Sequence, residues 1–347
     1  MAMSTIGHNL NAIGQASEEL FGNLFSHISL RKRPTLEYSI RNRTTVDTPT
    51  SLPLTGKVVI VTGSNRGIGN VVARDCASLG AQKVILAVRD VAKGQEARNE
   101  MIDSVGIPVE IQVKKLDLED FNSVREFVQE IVSTETKIDI LVNNAGILTG
   151  VERQEVDGME RMMRVNFFGS ILLTLLLFPK IKETGDGKIV FVASSAHWAL
   201  QKLDIDDLQW RNKPYSNNMV VYGHSKLALL TFLRLFAPKA HVHGVRTYAV
   251  DPGVAPTDIA KDSGYFHRMF IYGRMTRVFL RTTKEAADSV TMSVVADDKQ
   301  YYNPNSFYFC DGSPKKTSKC VMEDEATART LWNIVRTTLD LPIMDTI

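Results

Sequence analysis

A doubly wound α/β domain on a mainly parallel sheet is predicted by three observations. Val58 to Thr62 is a continuous apolar and β-branched run, the pattern of a strand buried on both faces, and it leads straight into Gly63-Ser64-Asn65-Arg66-Gly67-Ile68-Gly69. Helical periodicity resumes at once, at Ile68, Val71, Val72 and Ala77, so the glycine turn opens a helix. Short apolar runs then alternate with helix-length segments along the rest of the chain, as parallel strands joined by crossover helices require.

The 347 residues, 44% of them hydrophobic, suffice for one large domain or two small ones, with a sizeable core. A net charge of +2 gives no bulk attraction to nucleic acid. Cys76, Cys310 and Cys320 are too few and too scattered for a disulfide framework or a metal site. Free thiols suit a reducing compartment, so a cytoplasmic protein is expected.

Residues 1–54 read as an N-terminal extension. Ile13, Ala16, Leu20, Phe21, Leu24, Phe25 and Ile28 form the apolar stripe of an amphipathic helix, followed by Arg31-Lys32-Arg33 and a Thr/Pro-rich linker. That stripe suits packing on the domain or on a second subunit, as in a homodimer. Its basic flank leaves peripheral contact with an anionic membrane open. No signal-peptide core is evident, and the longest apolar run, 165–181, is interrupted by Asn166, Gly169, Ser170 and Pro179.

The elements follow in order. The turn at Gly63, Gly67 and Gly69 places unpaired helix N–H groups and a positive dipole end where a phosphate can sit. Its spacing, Thr-Gly-xxx-Gly-x-Gly, departs from the ordinary G-x-G-x-x-G dinucleotide turn. The second strand, Lys83–Val88, ends beside Arg89. Arg89 and Arg66 together would clamp a phosphate monoester, whereas Asp90 precedes a helical run and fits an N-cap. A third strand, 109–113, leads to Leu116-Asp117-Leu118 and a helix over 120–132, which Asp117 would cap.

The fourth strand, 138–142, ends in Asn143-Asn144-Ala145-Gly146, a turn of small and locally hydrogen-bonding residues. Helical periodicity over 157–182 carries Asn166 near its middle, where a buried amide must find partners. The fifth strand, 188–192, runs to Ala193-Ser194-Ser195. Tyr222 and Lys226 then open a helix running through Phe236, four positions apart and therefore on one face. A phenol titrates near 10, so a neighbouring ammonium would bring it into working range as an acid or base. His197 and His224 tempt a Ser–His reading, but no carboxylate has an orienting role beside them. The sixth strand, Val245–Val250, is followed by Asp251-Pro252-Gly253-Val254 and Thr257.

In combination, TGxxxGxG, NNAG, the mid-helix asparagine, the strand-ending serine and YxxxK resemble the short-chain dehydrogenase/reductase family. The resemblance implies a single Rossmann-type domain over about 55–340 with a mainly parallel, seven-stranded sheet, and a nicotinamide cofactor. It implies cofactor contacts from Gly63, Ser64, Asn65, Arg66, Gly67, Ile68 and Gly69, and from Arg89, Asp117 and Leu118 around the adenosine. On the nicotinamide side it implies Asn144, Ala145, Gly146, Asn166, Tyr222, Lys226, Pro252, Gly253, Val254 and Thr257. The arginines favour NADP(H).

Catalysis would fall to Tyr222 as proton donor, Lys226 as ribose ligand, Ser194 at the carbonyl oxygen and Asn166 through a water. Ser194 rather than Ser195 follows from aligning Gly187-Lys188-Ile189-Val190 with the family's strand, although Phe191 and Ala193 depart from its usual residues. No metal is implied.

Asp207-Leu208-Gln209, Phe307-Tyr308-Phe309-Cys310-Asp311 and Leu331-Trp332-Asn333 resemble the retinol-dehydrogenase-like branch. Residues 255–281, rich in aromatics and methionine, read either as a lid over a bulky hydrophobic small-molecule substrate or as side chains that close the domain's own core or meet a second subunit or a membrane. The expected function is NADP(H)-dependent interconversion of a carbonyl and an alcohol, in a setting such as specialised metabolism. The alternative is an NADPH-binding regulatory protein without turnover.

Overall fold

The computed structural model describes residues 52–150, 152–215, 218–255, 281–297 and 302–341. The expected N-terminal helix, Thr257 and all but the two ends of the expected lid lie outside them.

Strand β1 (Val58–Thr62) is fully buried, as its unbroken apolar run requires. Helix α1 (Gly67–Ser78) follows, then β2 (Lys83–Val88), α2 (Val91–Ser104), β3 (Glu110–Lys115), α3 (Phe121–Thr134) and β4 (Ile140–Asn143). A hairpin of β5 (Glu155–Val156) and β6 (Met159–Glu160) precedes the long helix α4 (Arg161–Lys182). The chain continues through β7 (Gly187–Val192), α5 (Asn218–Val242), β8 (Val245–Val250), α6 (Thr283–Val294), β9 (Tyr308–Cys310), β10 (Ser313–Pro314), α7 (Lys319–Glu323) and α8 (Glu325–Leu339).

The main sheet runs β10-β9-β8-β7-β4-β1-β2-β3. β1 pairs in parallel with both β2 and β4, so the strand order reverses there and a crevice opens at the carboxyl ends of the two strands. One face packs against α3, α4, α5 and α8, with Phe127, Phe167, Phe178 and Phe232 in the core. The other packs against α1, α2 and α6, through residues such as Val72, Met101 and Val290. The apolar length of α4 reflects this burial: 89% of its most apolar stretch lies inside the domain.

Two predictions need correction, for one physical reason. The sheet has the seven parallel strands expected, but an eighth, β10, adds antiparallel to β9. The helix expected from 157 starts at Arg161, because residues 155–160 form the β5–β6 hairpin. Each hairpin turns on an Asp-Gly pair with positive φ, Asp157 (49°) with Gly158 (73°) and Asp311 (53°) with Gly312 (67°). Two-residue turns of that kind match the twist of paired strands. In addition, α5 starts one turn before Tyr222 and extends past Phe236 to Val242.

Candidate active site

The glycine turn is locked to the loop after β4. Thr62 Oγ1 accepts hydrogen bonds from the backbone N–H groups of Asn144 (3.0 Å) and Ala145 (2.9 Å), and Asn144 Nδ2 donates to the Thr62 carbonyl at 2.8 Å. A Cβ on Gly69 would overlap Asn144 Nδ2 and lie 2.7 Å from the Gly63 carbonyl, so only glycine fits. Gly63 and Gly67 have φ of 63° and 61°, and a Cβ on Gly67 would meet only open space. At the start of α1, Arg66 occupies the N-cap position without a capping side chain. The first-turn N–H groups therefore suit an anion, and the turn fits the pyrophosphate of a dinucleotide.

A cavity of about 570 Å³ runs from this turn along the carboxyl ends of the strands, within the size range of cofactor sites. Asn65, Arg66, Gly67 and Ile68 border it, as do Arg89, Asp117 and Leu118. Ser64 is different: its hydroxyl donates to the Val61 carbonyl at 2.9 Å, so its side chain ties the turn to β1 instead of facing the cavity. Asp90 caps α2, accepting from Lys93 N at 3.1 Å and pairing with Lys93 Nζ at 2.9 Å. Hydrogen bonding to Lys93 holds its carboxyl below the ordinary value. Lys93 itself reaches the cavity as a third cation, one turn after Arg89, which sequence reasoning missed. Asp117 does not cap the helix: Asp120 does, while Asp117 accepts from Glu119 N at 3.0 Å.

Tyr222, Lys226, Ser194, Ala145, Gly146, Pro252, Gly253 and Val254 meet at the other end of the cavity. Tyr222 and Ser194 border this end together, and hydrogen bonding to Ser194 acts on the phenol. Gly223 makes that approach possible, since a Cβ there would stand 2.5 Å from the Ala196 carbonyl, in the 3₁₀ turn that follows Ser194. Ser194 Oγ accepts from Ala196 N at 3.1 Å.

Lys226 is buried, its Nζ donating to the Val192 carbonyl at 2.8 Å and lying 5.7 Å from the centre of the Tyr222 ring. Burial lowers its ammonium to about 8. Burial raises the Tyr222 phenol, the Ser194 hydrogen bond partly opposes that rise, and Asp251 adds to it. Lys226 does not offset that rise, because its ammonium is turned toward the Val192 carbonyl and over the ring face. The expected lowering, which counts on the positive nicotinamide ring as well, is a property of the cofactor complex. The phenol is held protonated.

Asn166 lies in a π-helical turn of α4, Arg164–Gly169. Its Oδ1 accepts from Ile147 N at 2.8 Å, and its Nδ2 donates to the Ile147 carbonyl (3.0 Å) and to Ser225 Oγ (3.1 Å). It therefore clamps the β4 loop to the helix of Tyr222, through a Ser225 that the sequence did not single out. A Cβ on Gly146 would lie 3.2 Å from Asn166 Oδ1 and 3.7 Å from Lys226 Nζ, which places these groups around one small gap. Leu148 and Met219, also unforeseen, border the cavity beside Tyr222. His197 Nδ1 meets the Ser194 carbonyl and not its hydroxyl, so there is no Ser–His proton relay. Among the described residues no acidic, histidine or cysteine cluster is arranged to hold a metal.

Residues 57–202 match the short chain dehydrogenase family. Over 285 residues the chain is 35% identical to retinol dehydrogenase 12 of Mus musculus, covering 82% of this chain and 87% of that one. It is 34% identical to retinol dehydrogenase 13 of the same organism over 82% and 84% of the two chains. Among solved structures, an uncharacterized protein from Mycobacterium Paratuberculosis superposes with a TM-score of 0.63 at 29% identity, over 85% of this chain and 98% of that one. A short chain dehydrogenase from Shigella flexneri, complexed with NADP, superposes with a TM-score of 0.58 at 21% identity, over 76% and 100%.

Proposed function

Because the chain belongs to the short-chain dehydrogenase/reductase family, in its retinol-dehydrogenase-like branch, we propose that it is an NADP(H)-dependent oxidoreductase interconverting a carbonyl and an alcohol on a bulky hydrophobic substrate. One observation carries the reading: Tyr222, Ser194 and Lys226 converge on the same cavity as the uncapped helix start and the Arg66/Arg89 pair. The cofactor, when bound, supplies or accepts the hydride.

The chain's own groups do the rest. Tyr222 donates the proton to the substrate oxygen, and Ser194 hydrogen-bonds that oxygen as negative charge develops on it. Lys226 holds the nicotinamide ribose, and Asn166 keeps the β4 loop and the Tyr222 helix in register. Arg66 and Arg89 bind the 2′-phosphate, which selects NADP(H) over NAD(H). Ile147, Leu148 and Met219 give the substrate side an apolar wall.

The test is an NADPH-consumption screen against lipophilic ketones and aldehydes, with product identification. Cofactor-dependent formation of the matching alcohol supports the reading. Tight NADPH binding without turnover across the panel favours the regulatory alternative.

A further inference from the structure

We propose that His197 is a positioning residue for Ser194, and that through it the segment at Ser318 sets the aim of the Ser194 hydroxyl. The inference rests on the reading that Ser194 binds the substrate oxygen.

His197 has no exposed surface and lies among rings, 5.1 Å from Trp198 and 5.3 Å, edge-on, from Tyr308. An imidazole in such surroundings is costly unless both nitrogens are paired. Both are. Nδ1 lies 2.7 Å from the Ser194 carbonyl oxygen, and Nε2 lies 3.4 Å from the backbone N of Ser318. A carbonyl only accepts and a backbone N–H only donates, so one tautomer satisfies both contacts: neutral, with the proton on Nδ1.

The consequence falls on the peptide plane after Ser194. Its carbonyl accepts from His197 Nδ1 and, at 3.4 Å, from the His197 backbone N–H. On the preceding side, Ala193 N donates to the Val250 carbonyl at 2.8 Å. The backbone of residue 194 is thereby held from both sides, while its side chain accepts from Ala196 N and borders the cavity with Tyr222. Of these restraints, His197 alone ties the serine to the C-terminal part of the chain, through Ser318, 121 residues beyond the histidine. The hydroxyl's direction is thus set partly by an element that does not border the catalytic end of the cavity.

Three variants separate positioning from packing. His197→Asn keeps a donor near the Nδ1 position and loses ring volume. His197→Phe keeps the ring and loses both hydrogen bonds. His197→Gln keeps a polar group near the Nε2 position only. Positioning predicts that kcat for carbonyl reduction falls about tenfold in the Phe and Gln variants, less than the roughly hundredfold loss typical of removing an oxyanion donor outright. KM and NADPH affinity should hold, and the Asn variant should recover most of the rate. In a Ser194→Ala background the Phe substitution should add no further loss.

A purely structural role predicts the reverse order, with Phe active and Asn impaired, and additive losses with Ser194→Ala. Either result overturns the proposal. If the Phe variant fails to fold, the Asn and Gln pair still decides. Tyr222→Phe is measured alongside: full activity there removes the catalytic reading itself, whereas an inactive Tyr222→Phe with a fully active His197→Gln removes only this inference.

Discussion

The two ends of the cavity are specified by opposite kinds of constraint. At the phosphate end the structure is defined by what is missing: Gly63, Gly67 and Gly69 supply positive φ or room, and Thr62 and Asn144 lock the two loops through backbone hydrogen bonds. At the reacting end it is defined by polar groups kept from water: Lys226, His197 and Asn166 are all buried, each with hydrogen-bond partners. At Gly69 the first end has no room for an added atom, and the second works through polar groups held in place by their partners. Substitutions at the first should therefore act on cofactor binding, and substitutions at the second on turnover.

The largest test of that division is Tyr222→Phe. Loss of the proton donor should lower kcat by about 10²–10⁴-fold while NADPH affinity, followed by fluorescence titration, stays the same. A parallel loss of affinity would erase the division. Next, Gly69→Ala forces a methyl group onto Asn144 and the Gly63 carbonyl. Overpacking of this kind costs about 1–3 kcal/mol, so titration should show NADPH affinity reduced about ten- to a hundredfold. Unchanged affinity would mean that the two loops separate freely.

A smaller effect is expected of Arg89→Ala. Removing one charge-assisted contact should narrow the ratio of kcat/KM for NADPH over NADH by about tenfold. Adding Arg66→Ala should narrow it further. An unaltered ratio would remove the phosphate clamp and leave Lys93 as the cation to examine.

The smallest effect concerns stability. Lys226 titrates near 8 in the folded protein but near its ordinary 10.5 when unfolded. Between those values the unfolded chain binds more protons, so this residue makes stability rise with pH across that window, and below it the buried charge is a constant cost. Lys226→Met should flatten that rise in cofactor-free protein and raise the melting temperature at pH 7. A variant with the same pH profile would show that the ammonium is not desolvated as described.

Much of this was legible in the chain itself, and what was not has identifiable causes. β1 and the glycine turn declared themselves because a strand buried on both faces needs an unbroken apolar run and a phosphate turn needs glycines at fixed places. The β5–β6 and β9–β10 hairpins are not legible because strands of two or three residues are too short to show alternation, although Asp157-Gly158 and Asp311-Gly312 carry a hairpin signal of their own. Ser64 lies in the glycine turn yet does not face the cavity, because a hydroxyl next to a free backbone carbonyl bonds locally first. Ser225, Met219 and the His197–Ser318 contact depend on which helix face meets which distant loop, and no local pattern encodes that. The rise at Tyr222 likewise comes from burial, a property of the assembled fold.

The central claim is that hydride transfer and protonation by Tyr222 occur in one cavity, and isotope transfer tests it most directly. The protein is incubated with a lipophilic ketone that it turns over and with NADPH deuterated at the transferable ring position, and the product is read by mass spectrometry. The account predicts deuterium on the carbinol carbon of the alcohol, and labelled alcohol formed at least about a hundredfold more slowly by Tyr222→Phe despite intact cofactor binding. Unlabelled alcohol, or labelled alcohol formed equally well by the variant, would contradict it.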